Sequence, residues 1–152
     1  MNLEMNIKQI MKGNPIIVNP DESLEAVSKM MAKNDKDVVV VREDDIVKGL
    51  VTAGDIYSAM RSYVLGKELL ESLPMEIRDI KIGELMKAPL ALEFMEACGL
   101  TGTNMCIVLG EDDSVANAMR VMAIGGVDHI LIIGEDGVSG TLSASDLLKA
   151  FK

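Results

Sequence analysis

The chain has no tryptophan, two tyrosines and two phenylalanines in 152 residues, so its interior must be filled by aliphatic and thioether side chains. Twelve methionines supply the adaptable part of that filling, and few aromatic faces are left for stacking. A single histidine excludes multi-histidine metal sites and most imidazole acid/base arrangements. The two cysteines, Cys98 and Cys106, lack CxxC spacing, which excludes a zinc ribbon or a disulfide framework and leaves two free thiols. No run approaches the roughly 18 apolar residues of a membrane helix, and Met1 to Lys12 holds neither an apolar signal core nor a small-residue cleavage site. The expectation is a cytoplasmic protein with no membrane partner. Basic residues are outnumbered 15 to 24, for a net charge of −9, so the average field repels nucleic acid. A local nest of backbone N–H groups can still hold a small anion. There is no P-loop, no nucleophile and base at recognisable spacing and no cluster of metal ligands, so no catalytic activity and no required cofactor or metal is expected.

What is present is a folded composition, 49% hydrophobic and 26% charged, arranged as a repeat. Shifting the chain by 91 residues lays Pro15 to Ile56 on Cys106 to Leu147 without a gap. Ile16, Asp21, Ser23, Met31, Ala32, Asp37, Asp45, Val47, Gly49, Ala53 and Asp55 recur identically at that offset, and the apolar positions keep the same register.

Each copy opens on a β-rich run, Ile16 to Val18 or Ile107 to Leu109, followed by a polar turn whose Ser23 or Ser114 starts a helix. Leu24, Val27, Met30 and Met31, matched by Val115, Ala118, Val121 and Met122, make one apolar helix face. Val38 to Val41 and His129 to Ile133 read as strands, each turning through an acidic loop into a further strand that ends at Val51 or Leu142. Thr52 and Ser143 open a second helix. The unit is βαββα, and the fold class is α/β (α+β), two such repeats packed as a pseudo-symmetric pair. Tyr57 to Met75 carries a helical pattern closed by Pro74, an extension of the first copy's last helix into a linker.

A shorter echo precedes each copy: Ile7, Ile10, Met11 and Lys12 match Ile82, Leu85, Met86 and Lys87 at an offset of 75. The sixteen extra residues lie at about 90–105, where Leu90 to Cys98 form a short apolar helix pattern ended by Gly99. The expected domains are therefore 1–75 and 76–152, the second carrying the insertion.

The two copies end in Gly49-Leu50-Val51-Thr52-Ala53-Gly54-Asp55 and Gly140-Thr141-Leu142-Ser143-Ala144-Ser145-Asp146. This Gly-h-h-Thr/Ser-x-x-Asp ending, repeated at a fixed offset in the same element order, resembles the tandem CBS-domain pair over almost the whole chain. The resemblance implies a non-catalytic regulatory module that binds AMP, ADP, ATP or S-adenosylmethionine in clefts between the repeats, forms a flat homodimer and signals to a regulated protein. It implies a first site of Pro15, Ile16, Ile17, Val40, Thr52 and Asp55, and a second of Cys106, Ile107, His129, Leu131, Ser143 and Asp146. The hydroxyl residue would lie near the phosphate, the Asp on the ribose hydroxyls, and the strand residues around the base.

The residues themselves agree, since a helix N-terminus presents unsatisfied N–H groups to a phosphate and a carboxylate can take both ribose hydroxyls. They also fit a simpler reading: Thr/Ser-x-x-Asp is close to a capping box, which would leave a dimerisation and interaction scaffold without nucleotide. Val40 and Leu131 stand where the resembling family often has proline, and Asp37 and Asp128 stand beside them where it often has basic residues. Carboxylates there favour a nucleoside, a monophosphate or S-adenosylmethionine over ATP. With an insertion before the first strand of the second copy, the two sites are expected to be unequal.

Overall fold

The computed structural model describes residues 1–64, 75–85, 88–89 and 105–151. The expected insertion, apart from Met105, and the expected helical linker over 65–74 lie outside those residues. The first copy is β2 (Ile16–Val18), α1 (Leu24–Lys33), β3 (Val38–Glu43), β4 (Ile46–Thr52) and α2 (Ala53–Val64), after a two-residue β1 (Lys12–Gly13). A short α3 (Met75–Arg78) and a two-residue β5 (Ala88–Pro89) lead to the second copy. That copy is β6 (Met105–Gly110), α4 (Val115–Gly125), β7 (His129–Gly134), β8 (Gly137–Ser143) and a 3-10 helix over Ala144–Ala150. The element order expected from the repeat is present in both copies, with the last helix an α-helix in the first and a 3-10 helix in the second.

Local chemistry accounts for the matching boundaries. Ser23 and Ser114 cap α1 and α4, each hydroxyl accepting from a backbone N–H three residues on, at 3.1 Å. Leu24, Val27 and Met31 are buried along α1, and Val115, Ala118 and Met122 along α4. Gly126 ends α4 at φ +63°, and Asp35 holds the aligned position after α1 at φ +51°, a conformation that glycine adopts freely and aspartate tolerates.

The strands form two sheets, β2-β3-β4 and β1-β8-β7-β6-β5. In each, the copy's first strand runs parallel to the second, and the hairpin is antiparallel. Two compact units result, Ile16–Lys87 and the pair Met1–Pro15 with Ala88–Lys152. The units are therefore not divided as the repeat arithmetic divides the chain, because the lead segments change places. Ile7 N–H donates to Asp113 O at 2.8 Å and Val115 N–H to Met5 O at 2.9 Å, which ties the first lead segment to the second copy. In the other unit Ile82 N–H donates to Glu22 O at 2.8 Å and Leu24 N–H to Ile80 O at 2.7 Å. These are the same bonds under the two offsets. Ile7 and Ile82, both fully buried, join the cores built on α4 and α1 respectively.

At one point this exchange depends on an absent side chain. β1 pairs with β8 through Lys12 opposite Thr141 and Gly13 opposite Gly140, and a Cβ on Gly140 would overlap the Lys12 carbonyl oxygen.

Candidate ligand sites at two strand-to-helix junctions

The motif of the first copy lies where β4 passes into α2. Thr52 N–H donates to Asp55 Oδ2 at 2.9 Å, and Asp55 N–H donates to Thr52 Oγ1 at 3.1 Å. This is the reciprocal bonding of a capping box, and it satisfies donors that a helix start leaves open. Ala53 N–H donates to Asp37 O at 2.8 Å, which fixes the junction to the start of β3.

Strand alternation sorts the remaining expected residues. Val39, Val41 and Val51 face the helices and form the core, with Ile16 packed against them. Val40 pairs with Ile17 and Leu50, and Val38 with Thr52. Ile17, Val40 and Thr52 therefore share the opposite face of the sheet, and Ile16 is turned away from them. Ile17 is 37% exposed, whereas Val40 has no exposed surface. Pro15 precedes β2 and is half-buried, as is Asp55.

In the second copy His129 pairs with Ser143, and Leu131 with Thr141, while Ile130, Ile132 and Leu142 fill the core. His129, Leu131 and Ser143 thus share a face. Leu131 is 1% exposed. His129 Nδ1 lies 2.9 Å from Asp128 Oδ1, so its imidazole has a carboxylate partner within its own strand end. Cys106 and Ile107 have backbone partners in Pro89 and Ile130; their side chains lie outside the described residues.

The second motif is capped in the same way but is enclosed further. Ser143 N–H donates to Asp146 Oδ2 at 2.9 Å, and Asp146 N–H to Ser143 Oγ at 3.3 Å. Two lysines that the motif reading did not include, Lys12 and Lys149, complete the surroundings of Asp146. Lys149 was available to a helical reading as the residue three beyond Asp146; Lys12 was not, since it arrives on the exchanged lead segment.

Burial pushes the Asp146 carboxyl pKa up, but hydrogen bonds from the Ser143 amide, the Lys149 ammonium and the Ser143 hydroxyl, with the charge of Lys12, outweigh it and hold the pKa below 3.8. A carboxyl depressed on folding stabilises the protein fully above its unfolded pKa, and that contribution disappears as pH falls through the folded value. As pH falls from about 6 to about 2 the wild type should therefore lose more stability than Asp146→Asn. Urea denaturation at stepped pH measures this, and parallel curves for the two proteins would refute it.

At the other end of the same sheet, Lys8, Glu111, Asp112, Asp113, Glu135 and Asp136 are among the residues around a cavity of 1010 Å³. No grouping of three or more potential metal ligands is found among the described residues, and no described helix is long and apolar enough to cross a membrane.

Among solved structures, the chain is similar to an uncharacterised conserved protein of Pyrococcus horikoshii, at 27% identity and a TM-score of 0.71 over 100% of this chain and 96% of that one. A conserved CBS-domain protein of Thermoplasma acidophilum matches at 18% identity and TM-score 0.67 over 95% and 68% of the two chains. CBSX2, solved in complex with AMP, matches at 15% identity and TM-score 0.64 over 96% and 95%. At such identities the last two speak for the fold alone. A search of curated proteins finds no significant match. The sequence model of the CBS domain matches residues 7–62 and again 82–152, most of the chain, and with the repeated junctions and the paired sheets it follows that this protein belongs to the CBS-domain family, as a tandem pair.

Proposed function

We propose that the protein is a non-catalytic regulatory module that senses an adenosine-containing ligand, with Thr52 and Asp55 as the polar anchors and Pro15, Ile17 and Val40 on the side of the base. The observation that carries this reading is the Thr52–Asp55 junction, where a helix start and a carboxylate adjoin Thr52, which shares a sheet face with Ile17 and Val40. Support comes from CBSX2, whose structure holds AMP, and from a Methanocaldococcus jannaschii relative, described as a candidate archaeal homologue of γ-AMPK. Asp37 and Asp128 favour a ligand of low negative charge, AMP or S-adenosylmethionine, over ADP and ATP. Binding shifts the packing of the units or of a homodimer, by no more than the ligand's differential affinity allows, and a partner protein in the cytoplasm reads the change.

The second reading, a dimerisation scaffold without nucleotide, is favoured by one specific observation: both motifs already satisfy their own backbone donors as caps. Calorimetry on nucleotide-stripped protein with AMP, ADP, ATP and S-adenosylmethionine separates the two. The sensing reading expects saturable binding that weakens about 10- to 100-fold in Asp55→Ala, as for a lost hydrogen bond to a charged group. Absence of heat with all four ligands, with Asp55→Ala merely less stable, gives the scaffold reading its place.

A further inference from the structure

One flank of α1 borders a hollow of 350 Å³. Leu24, Ser28 and Ala32, four residues apart and so on one face of the helix, line it together with Met60 of α2 and Arg78 of α3. The wall is almost wholly apolar, yet two of these side chains each keep a buried polar atom that bonds to nothing, Ser28 Oγ and Arg78 Nε. Among the described residues no other buried side-chain nitrogen or oxygen is left in this state, so both such atoms belong to residues around a single hollow. A serine inside a helix commonly turns its hydroxyl to the carbonyl four residues back, and Ser28 does not. Arg78 is held at its outer end, where Nη1 lies 3.6 Å from Glu25 Oε2, and Glu25 Oε1 accepts from Lys29 Nζ at 3.1 Å. Lys29 and Arg78 thus set two positive charges against one carboxylate.

The fold does not itself call for this polar pair. At the two offsets of the repeat, the counterparts of Ser28 and Arg78 are Met119 and Leu3, and Glu25 is matched by Ala116. The second copy builds the same serine-capped helix with those residues. Buried polar groups are nearly always paired, because an unpaired one has given up water for nothing. A carboxylate supplies what both atoms lack: one planar group that accepts from an N–H and an O–H and brings the single negative charge that balances the surplus. Its apolar remainder would rest on Leu24, Ala32 and Met60, in a volume within the range of small-molecule pockets.

We propose that this hollow is a binding site for a small carboxylic acid with an apolar body, its carboxylate taken by Arg78 Nε–H and the Ser28 hydroxyl. A phosphate ester fits less well, since its second negative charge meets no further cation and adjoins Glu25. None of these residues belongs to the Thr52–Asp55 motif, and the site stands or falls apart from the adenosine reading.

Amide NMR on the full chain, titrated with 4-phenylbutyrate and in parallel with the neutral 4-phenylbutanol, tests this. The expected result is saturable shifts centred on Ser28, Ala32, Met60 and Arg78, with the alcohol bound about tenfold or more weakly than the acid. The acid should also bind about tenfold more weakly to Arg78→Lys, which keeps the charge and loses the Nε–H. Ser28→Met, which gives α1 the side chain of the second copy, should abolish binding by filling the hollow while the thermal midpoint stays equal or rises. An acid that binds no better than the alcohol, or that binds Arg78→Lys as well as the wild type, overturns the proposal, whatever Ser28→Met does. So does the lack of saturable shifts at about 10 mM probe. Shifts at the same amides on raising the protein concentration without probe overturn it too, since they would give the hollow to a second copy of the chain.

Discussion

Replacing Ile82 with alanine is expected to destabilise the unit formed by residues 16–87 by about 2–5 kcal/mol, the range for truncating a buried isoleucine. The size is notable for a residue in a 3-10 turn that belongs to no strand and to neither main helix. Ile82 is fully buried among Val39, Val51 and Leu24 in the core of that unit, so its methyl groups are as much a part of the interior as those of the sheet. Ile7→Ala should act comparably on the other unit, where Ile7 lies with Val115, Ile130 and Leu142. Urea denaturation monitored by circular dichroism gives both values. A loss below about 1 kcal/mol, as at ordinary surface positions, would mean that the lead segments are appendages.

The second large effect is expected at Gly140. A valine there places Cβ against the Lys12 carbonyl oxygen, with Met11 Sδ also only 3.3 Å away. The first of these is backbone and cannot step aside by changing rotamer, so relief requires β1 to leave β8. That would take with it the Lys12 contact to Asp146. Gly140→Val should cost about 1–3 kcal/mol through overpacking, with faster amide exchange at Lys12 and Gly13. The control stands directly across the ladder: a Cβ on Gly13 meets nothing within 4 Å, so Gly13→Ala should leave stability and exchange close to wild type. Equal effects at the two glycines would show that the close approach is not what requires Gly140.

Much of this architecture is legible in the residues because burial repeats with them. Val27 and Ala118, or Val39 and Ile130, stand at aligned positions and are buried alike, so the internal comparison carries the element order, both helix faces and both hairpins. The capping serines and the Thr52 and Ser143 junctions are equally local, since each partner lies three residues from its cap. What could not be read is non-local. Ile7 and Ile82 are visibly apolar, but nothing in their own segments says which copy they cover. The two-residue strands β1 and β5 are too short to show any period. The face to which Ile16 turns follows only from the pairing register with Val39. The ammonium groups around Asp146 depend on the exchange and on a 3-10 winding, neither of which leaves a mark in composition.

The exchanged lead segments also impose an order on how the chain is completed during synthesis. The unit Ile16–Lys87 is continuous, and the whole of it has emerged before the second copy begins. The other unit is made from two stretches that flank the continuous one in sequence, and Asn2 N–H reaches Ala150 O at 3.0 Å. Residues 1–15 thus leave the ribosome before the unit Ile16–Lys87 and find their place after it, and until Val115, Gly140 and Asp146 have been made the buried face of Ile7 has nothing of its own unit to rest on. Translation runs in one direction, but this unit can close only when its two separated stretches meet across the one made between them.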